Sequence, residues 1–298
     1  MTHLCKVCSG KIRRDRNPKI YCSKKCEASV EGYSGGWTKV QAKIKATTSW
    51  RPEHPELTKQ IHSSEPILVM SDPHCPVHCE NWFEQSLIAG QRFGCRTLIL
   101  NGDLVDANQC SRWLGQQYRR KGELNDDIES ARSFLNVCIP LFDKIYITLG
   151  NHDQRLINAF AGEVSIQNLM RMIFTDPKVF MTEKHFVEVN NVTRVLHPRS
   201  YSKTKGKLPA DLAQRYQKHI INGHTHHSAV ASSADGKWQA VEVGCLMELD
   251  YAFYAQQGMP NMPDMMNGFA IILPNSADDK ILNFNKFTHW DYYGLPKI

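Results

Sequence analysis

The chain has 298 residues, enough for one domain of roughly 200–250 residues with a smaller module beside it. Hydrophobic residues at 42% and charged residues at 22% exclude wholesale disorder, and no apolar run approaches the roughly 18 residues of a membrane-spanning helix. The formal charge is +6 and there are 10 cysteines, and both are unevenly distributed.

Residues 1–51 carry twelve Lys/Arg against three acids, a balance of +9 that leaves −3 for the remainder. The start, Met1 to Lys6, lacks the apolar stretch of a secretory signal, which predicts a cytoplasmic location. There, cysteines serve as metal ligands or buried thiols more often than as disulfides. Cys5 and Cys8 form one close pair, Cys22 and Cys26 another, with thirteen residues between them. Two such pairs supply the four tetrahedral ligands of a structural Zn²⁺, whose binding would fold a piece too small to bury its own core. The stretch Tyr21 to Cys26 resembles the second knuckle of small treble-clef-like or ribbon-like fingers found beside phage and bacterial DNA-processing modules. Residues 1–50 are therefore expected to be a basic zinc-binding module. Its cations suit nucleic acid, DNA in the first place, and a protein-docking finger is the alternative. Residues 37–46 suit a short basic helix, and residues 51–65, with Pro52 and Pro55, read as a linker.

From residue 66 one pattern repeats. A short aliphatic run is followed at once by Asp, Asn or His. Residues 66–70 lead into Asp72 and His74, residues 97–100 into Asn101, Asp103 and Asp106, and residues 144–149 into Asn151, His152 and Asp153. Residues 193–196 then lead into His197, and residues 219–221 into His224 and His226. Continuous apolar runs this short suit strands buried on both faces. Residues 80–93 and 124–138 have helical spacing, so the pattern implies a sheet covered by helices. In such sheets the functional crevice lies at the carboxyl ends of the strands, so the five polar clusters should converge. Strands at 239–244, 268–273 and 280–287 are expected to complete a second sheet.

Asp, His and Asn are the donors that a pair of divalent cations needs around a bridging carboxylate. The order D-x-H, GD-x-x-D, GNHD, a lone His and GHTH resembles the calcineurin-like metallophosphoesterases over residues 66 to about 246. The resemblance implies an α/β fold, a two-sheet αββα sandwich over residues 66–298. It implies one metal held by Asp72, His74, Asp103 and His226, and a second sharing Asp103 with Asn151, His197 and His224. It implies His152 as general acid with Asp106 as its orienting partner. Two cations lower the pKa of a shared water, so a hydroxide is available at neutral pH for in-line attack. Mn²⁺ is the expected metal pair, and Zn²⁺ and Fe²⁺ also fit the donors.

The chain departs from the family's protein phosphatases after Asp106. Ala107 and Asn108 stand where they carry the Arg that grips phosphate, which counts against that activity. Arg155 is a candidate replacement, and Arg199 belongs to a basic stretch with Lys203, Lys205, Lys207 and Tyr201. A second such stretch holds Arg112, Arg119, Arg120 and Lys121, with Trp113 and Tyr118. The lone His precedes Pro198, where Gly is usual. The expected function is hydrolysis of nucleic-acid phosphodiesters. The alternative is a phosphatase or phosphodiesterase for small esters or nucleotides, with the finger docking a protein. The remaining cysteines are expected to be reduced, and the Met-rich stretch 259–266 to cover the core.

Overall fold

A computed structural model describes residues 60–111, 122–160, 168, 170, 173–251, 264–275 and 278–286. The four-cysteine segment, the basic helix at 37–46 and the basic stretch 112–121 lie outside the described residues.

The first sheet is built on β2 (Ile67–Met70), β3 (Thr97–Asn101), β4 (Lys144–Thr148) and β5 (Val179–Met181), all parallel. β2 and β3 are buried on both faces. Leu68 and Met70 of β2 face a helix layer, and Ile67 and Val69 face the second sheet, as the two-residue period of a strand requires. Helices α1 (Glu80–Arg92), α2 (Leu124–Cys138) and α3 (Asn151–Ala159) belong to the helix side. Phe83 and Leu87 of α1, Phe134 and Leu135 of α2 and Leu156 of α3 enter the same cluster. The Asp126 carboxylate accepts a bond from the Glu123 N–H at 2.9 Å and so starts α2.

The second sheet runs in the order β1 (Gln60–Ile61), β6 (Phe186–Val189), β7 (Thr193–Leu196), β8 (His219–Asn222), β10 (Gln239–Val243) and β9 (Ser228–Ser232). Its inner face sets Val187, Val195, Ile221 and Val241 against Val69, Ile99 and Ile272 of the first sheet. Its outer face is covered by α4 (Lys207–Tyr216), whose Leu208, Leu212 and Ala213 meet Leu196, Ile220 and Ala240. Helix, sheet, sheet and helix layers make the α/β two-sheet sandwich expected from the sequence.

One strand assignment is corrected. The strands β11 (Phe269–Leu273) and β12 (Lys280–Phe284) do not join the second sheet. β11 pairs antiparallel with β2, and β12 with β11, so they extend the first. Their apolar pattern suits either sheet, and only hydrogen bonding to the free edge of β2 decides between them. Gln60–Ile61 falls inside the stretch read as linker, and it is a parallel edge strand beside β6. Of the Met-rich stretch, Met265 packs against Val77, Cys245 and Met247, and residues 259–263 are outside the described residues. The six described cysteines are all free thiols, five of them buried.

Candidate metal centre

All five polar clusters follow the carboxyl ends of their strands, three from the first sheet and two from the second. The two sheets are joined at that end by Asn101, the last residue of β3. Its side-chain amide donates to the Leu196 carbonyl at the end of β7, at 2.9 Å, and its carbonyl accepts from Ser71 Oγ at 2.9 Å. The loops beyond therefore start close together.

Asp72, His74 and His226 form one group whose donor atoms all lie within 4.8 Å of one another, and Asp103, His197 and His224 form a second. His226 Nε2 is 3.2 Å from Asp72 Oδ1 and 3.2 Å from His74 Nε2. His197 Nε2 is 3.3 Å from Asp103 Oδ2 and 3.1 Å from Asn151 Oδ1. Asp103 joins the groups, since His74 Nε2 is 3.8 Å from its Oδ2. Asp72, His74, Asp103, His197 and His226 are all buried. Carboxylate oxygens, an amide oxygen and imidazole nitrogens thus converge in a dry space with few donors among them. That chemistry fits a pair of divalent cations bridged by Asp103. Two of the outer nitrogens have partners: His74 Nδ1 meets Asp106 Oδ1 at 3.1 Å, and His197 Nδ1 meets the Asn101 carbonyl at 2.9 Å. Both partners are acceptors, so each Nδ1 carries its proton and each Nε2 is left for a metal.

The approach depends on backbone few residues adopt. Asp72, His74, Asp103, His224 and His226 all have positive φ, between 49° and 71°. Such geometry costs about 1–3 kcal/mol per non-glycine residue and persists only where surrounding bonds hold it. Here they do. The His224 N–H donates to both Asp72 oxygens, at 3.1 and 3.2 Å, and the His152 N–H donates to Asp103 Oδ1 at 2.7 Å. Asp153, in the first turn of α3, accepts from the N–H groups of Asp103, Val105 and Gly150. A Cβ on Gly150 would stand 2.1 Å from both Asp103 N and Oδ1, so only glycine lets α3 begin against that carboxylate.

Electrostatics follow from burial and mutual attraction. Burial alone would push the His197 pKa down, but the Asp103 and Asp72 carboxylates outweigh it and hold it at about 10. Burial pulls His224 down to about 4, helped by the His197 charge. Burial raises Asp153 to about 6, with the Asp103 charge adding to it. Burial opposes ionisation of Asp106 too, but the bonds from His152 and His74 prevail and hold it well below the carboxylate range.

His152 lies beside this group. Its Nδ1 is 2.7 Å from the Asp106 carbonyl and 3.1 Å from Asp106 Oδ1, two acceptors that favour a proton on Nδ1. His152 also forms a group with His74 and Asp103 within the same 4.8 Å limit, so its place alone admits a third imidazole ligand. Arg155, half-buried, brings Nη1, a donor, to 2.9 Å from that same His152 Nδ1 and 3.5 Å from the Asp106 carbonyl. Arg199 is exposed on the segment after His197. Asn101 and Asp153 stand in the polar clusters read from the sequence, which assigns them no role, and Glu242 stands outside those clusters. Asp153 falls in the first turn of α3 and Glu242 in the strand β10, and neither place is marked by local composition.

No helix among the described residues is long and apolar enough to cross a membrane. No curated protein matches the chain. Among solved structures, a phosphoesterase named Yfce from E. coli is 17% identical, with 69% of this chain and 87% of that one covered and a TM-score of 0.37. The Pseudomonas putida nuclease MPE is 15% identical, covering 72% and 87%, with a TM-score of 0.31. Vacuolar Protein Sorting 29 from Cryptosporidium parvum is 13% identical, covering 74% and 98%, with a TM-score of 0.37. The family profile described as calcineurin-like phosphoesterase matches residues 65–228, more than half of the chain and all five convergent loops. The chain belongs to the calcineurin-like phosphoesterase family and is a metallophosphoesterase, a hydrolase of phosphoric esters.

Proposed function

We propose that the chain is a two-metal phosphodiesterase acting on nucleic acid, DNA in the first place. The observation that carries this substrate is the charge asymmetry, +9 in residues 1–51 beside −3 in the rest. A cationic head of this density gains affinity for any polyphosphate through counterion release. Residues 1–50 would form the zinc module on Cys5, Cys8, Cys22 and Cys26, residues 51–65 the connection, and residues 66–298 the hydrolase.

Asp72, His74, Asp103 and His226 would hold one divalent cation, and Asp103, Asn151, His197 and His224 the other, with Mn²⁺ as the working pair. When bound, the cations supply Lewis-acid chemistry for in-line displacement at phosphorus. The protein's own part is positional and protonic. His152, its Nδ1 held by Asp106, keeps the tautomer whose Nε2 can carry a proton to the departing oxygen. That proton matters most for a poor leaving group such as a ribose hydroxyl. Arg155 beside His152 and Arg199 after His197 would neutralise phosphoryl charge in place of the Arg absent after Asp106.

The test is the full chain with Mn²⁺ on single- and double-stranded DNA, RNA, bis-p-nitrophenyl phosphate and p-nitrophenyl phosphate. Cleavage of DNA and of the diester is expected. Cleavage of the monoester alone overturns the nuclease reading and favours a small-ester phosphatase. Removing residues 1–50 should weaken polynucleotide binding and its salt dependence while sparing the small diester. Unchanged DNA affinity would make the head a protein-docking module.

A further inference from the structure

We propose that the segment after His197 builds a nucleobase-stacking subsite on Tyr201, beside the metal centre, so that one base of the substrate is engaged next to the scissile phosphodiester. This rests on the nucleic-acid reading above and specifies how that substrate is held.

Tyr201 is 44% exposed, yet its ring lies 6.1 Å from the ring of His227, the residue after His226. His227 itself is buried. An aromatic surface is therefore open to solvent against the residue that follows a candidate metal ligand in the chain. Other large hydrophobic side chains are exposed too, on other segments of the chain. Tyr216 ends α4 with the Arg194 guanidinium 4.1 Å from its ring centroid, and Val230 is on the edge strand β9.

The platform is held in place. At one end of the segment, His197 is fixed through its Nδ1 to the Asn101 carbonyl. At the other, the Gly206 N–H donates to Glu242 Oε2 at 2.7 Å. The same fully buried carboxylate accepts from Thr225 Oγ1 at 3.2 Å and stands 3.4 Å from His227 Nδ1. Glu242 thus ties the Tyr201 segment to the loop carrying His224 and His226. In between, the Thr204 N–H bonds to Ser202 Oγ at 3.1 Å, and Lys205 pairs with Asp264 at 3.2 Å. A segment anchored in this way loses little backbone freedom on binding. Arg199 and Lys203, exposed two residues before and two after Tyr201, would supply cations to the phosphates flanking a stacked base. An exposed tyrosine with neighbouring cations is the composition of a single-strand platform, tolerant of base identity because every base has a π face.

The test pairs two diesters with the same leaving group, the p-nitrophenyl ester of thymidylate and methyl p-nitrophenyl phosphate, on the full chain with Mn²⁺. Tyr201→Ala should raise KM for the thymidylate ester about 5- to 150-fold, the range expected for loss of one stacked base, with kcat little changed. Methyl p-nitrophenyl phosphate should be turned over as before, and Tyr201→Phe should match the wild type on both. Anisotropy of a fluorescein-labelled oligothymidylate, without metal, should rank the three proteins the same way. No change in KM for the thymidylate ester, or equal changes for both esters, overturns the subsite. An oligonucleotide arm separates the two readings. Wild-type chain that prefers the thymidylate ester through Tyr201 but leaves oligonucleotides uncut keeps the subsite and overturns the nucleic-acid reading.

Discussion

The Asp106 carboxylate holds His74 in place, with Oδ1 3.1 Å from the His74 Nδ1. The same oxygen is 3.1 Å from the His152 Nδ1. One carboxylate therefore orients both a candidate ligand and the candidate acid, which couples metal binding to proton delivery. Asp106→Asn should lower Mn²⁺ affinity about 10- to 100-fold, the usual cost of losing a partner behind a ligand, and should lower turnover at saturating metal as well. Calorimetric titration with Mn²⁺ beside steady-state kinetics checks it. Undiminished affinity would confine Asp106 to His152.

His152 offers the opposite separation. His152→Ala should retain both metals while losing about 10²–10⁴-fold in turnover on diesters with poor leaving groups. Esters of p-nitrophenol, which leave without a proton, should be nearly spared. Metal content by elemental analysis decides the matter, because loss of one ion in this variant would make His152 a ligand in the group it forms with His74 and Asp103.

Acid–base behaviour of the metal-free protein follows from His197. Its folded pKa, about 10, lies above the ordinary 6.5 because Asp103 and Asp72 outweigh the effect of burial. Protonation therefore stabilises the fold fully below about pH 6.5, and that contribution is lost as pH rises toward 10. Thermal midpoints of metal-free protein should fall between pH 7 and pH 10, and metal-loaded protein should not share this decline. Since Nδ1 is bonded to Asn101, the proton to be displaced sits on Nε2, facing Asp103. Mn²⁺ binding at neutral pH should release protons, measurable as a buffer-dependent heat. A flat midpoint with no buffer dependence would refute the protonated metal-free site.

Gly150 and Gly223 are expected to tolerate no side chain. A Cβ on Gly223 would stand 2.0 Å from Ser71 Oγ and 2.5 Å from Asp72 Oδ2, closer than real atoms approach. Gly150→Ala or Gly223→Ala should destabilise the fold by about 1–3 kcal/mol or more and lower metal occupancy, as forced overpacking does. Thermal unfolding and metal content test this, and a fully loaded variant of wild-type stability would contradict the packing.

Much of the architecture was legible in the residues. Runs such as Ile67–Met70 and Thr97–Asn101 are too apolar for a half-exposed strand, and each stops at a polar cluster, so buried strands with a site at their ends could be read directly. The helices over Glu80–Arg92 and Leu124–Cys138 had clear 3.6-residue spacing. The short strands β5, β6 and β9 and the helices α3 and α4 were not read. Three to five residues hold too little periodicity, and α3 overlaps the polar motif that drew the functional reading.

By itself, the sequence determined which chemistry is available. It put acceptor side chains after successive strands, its charge at the head, and its family resemblance in the spacing of five short motifs. Those are local properties, set by residue type and order along the chain. Tertiary structure alone decided which atoms face one another. It assigned β11 and β12 to the first sheet, set Asn101 as the tie between sheets, shared Asp106 between two histidines, and tied buried Glu242 to both Gly206 and the histidine loop's Thr225. Each of those contacts joins residues far apart in sequence, through hydrogen bonds that local composition does not encode and that form only once the chain has folded back on itself.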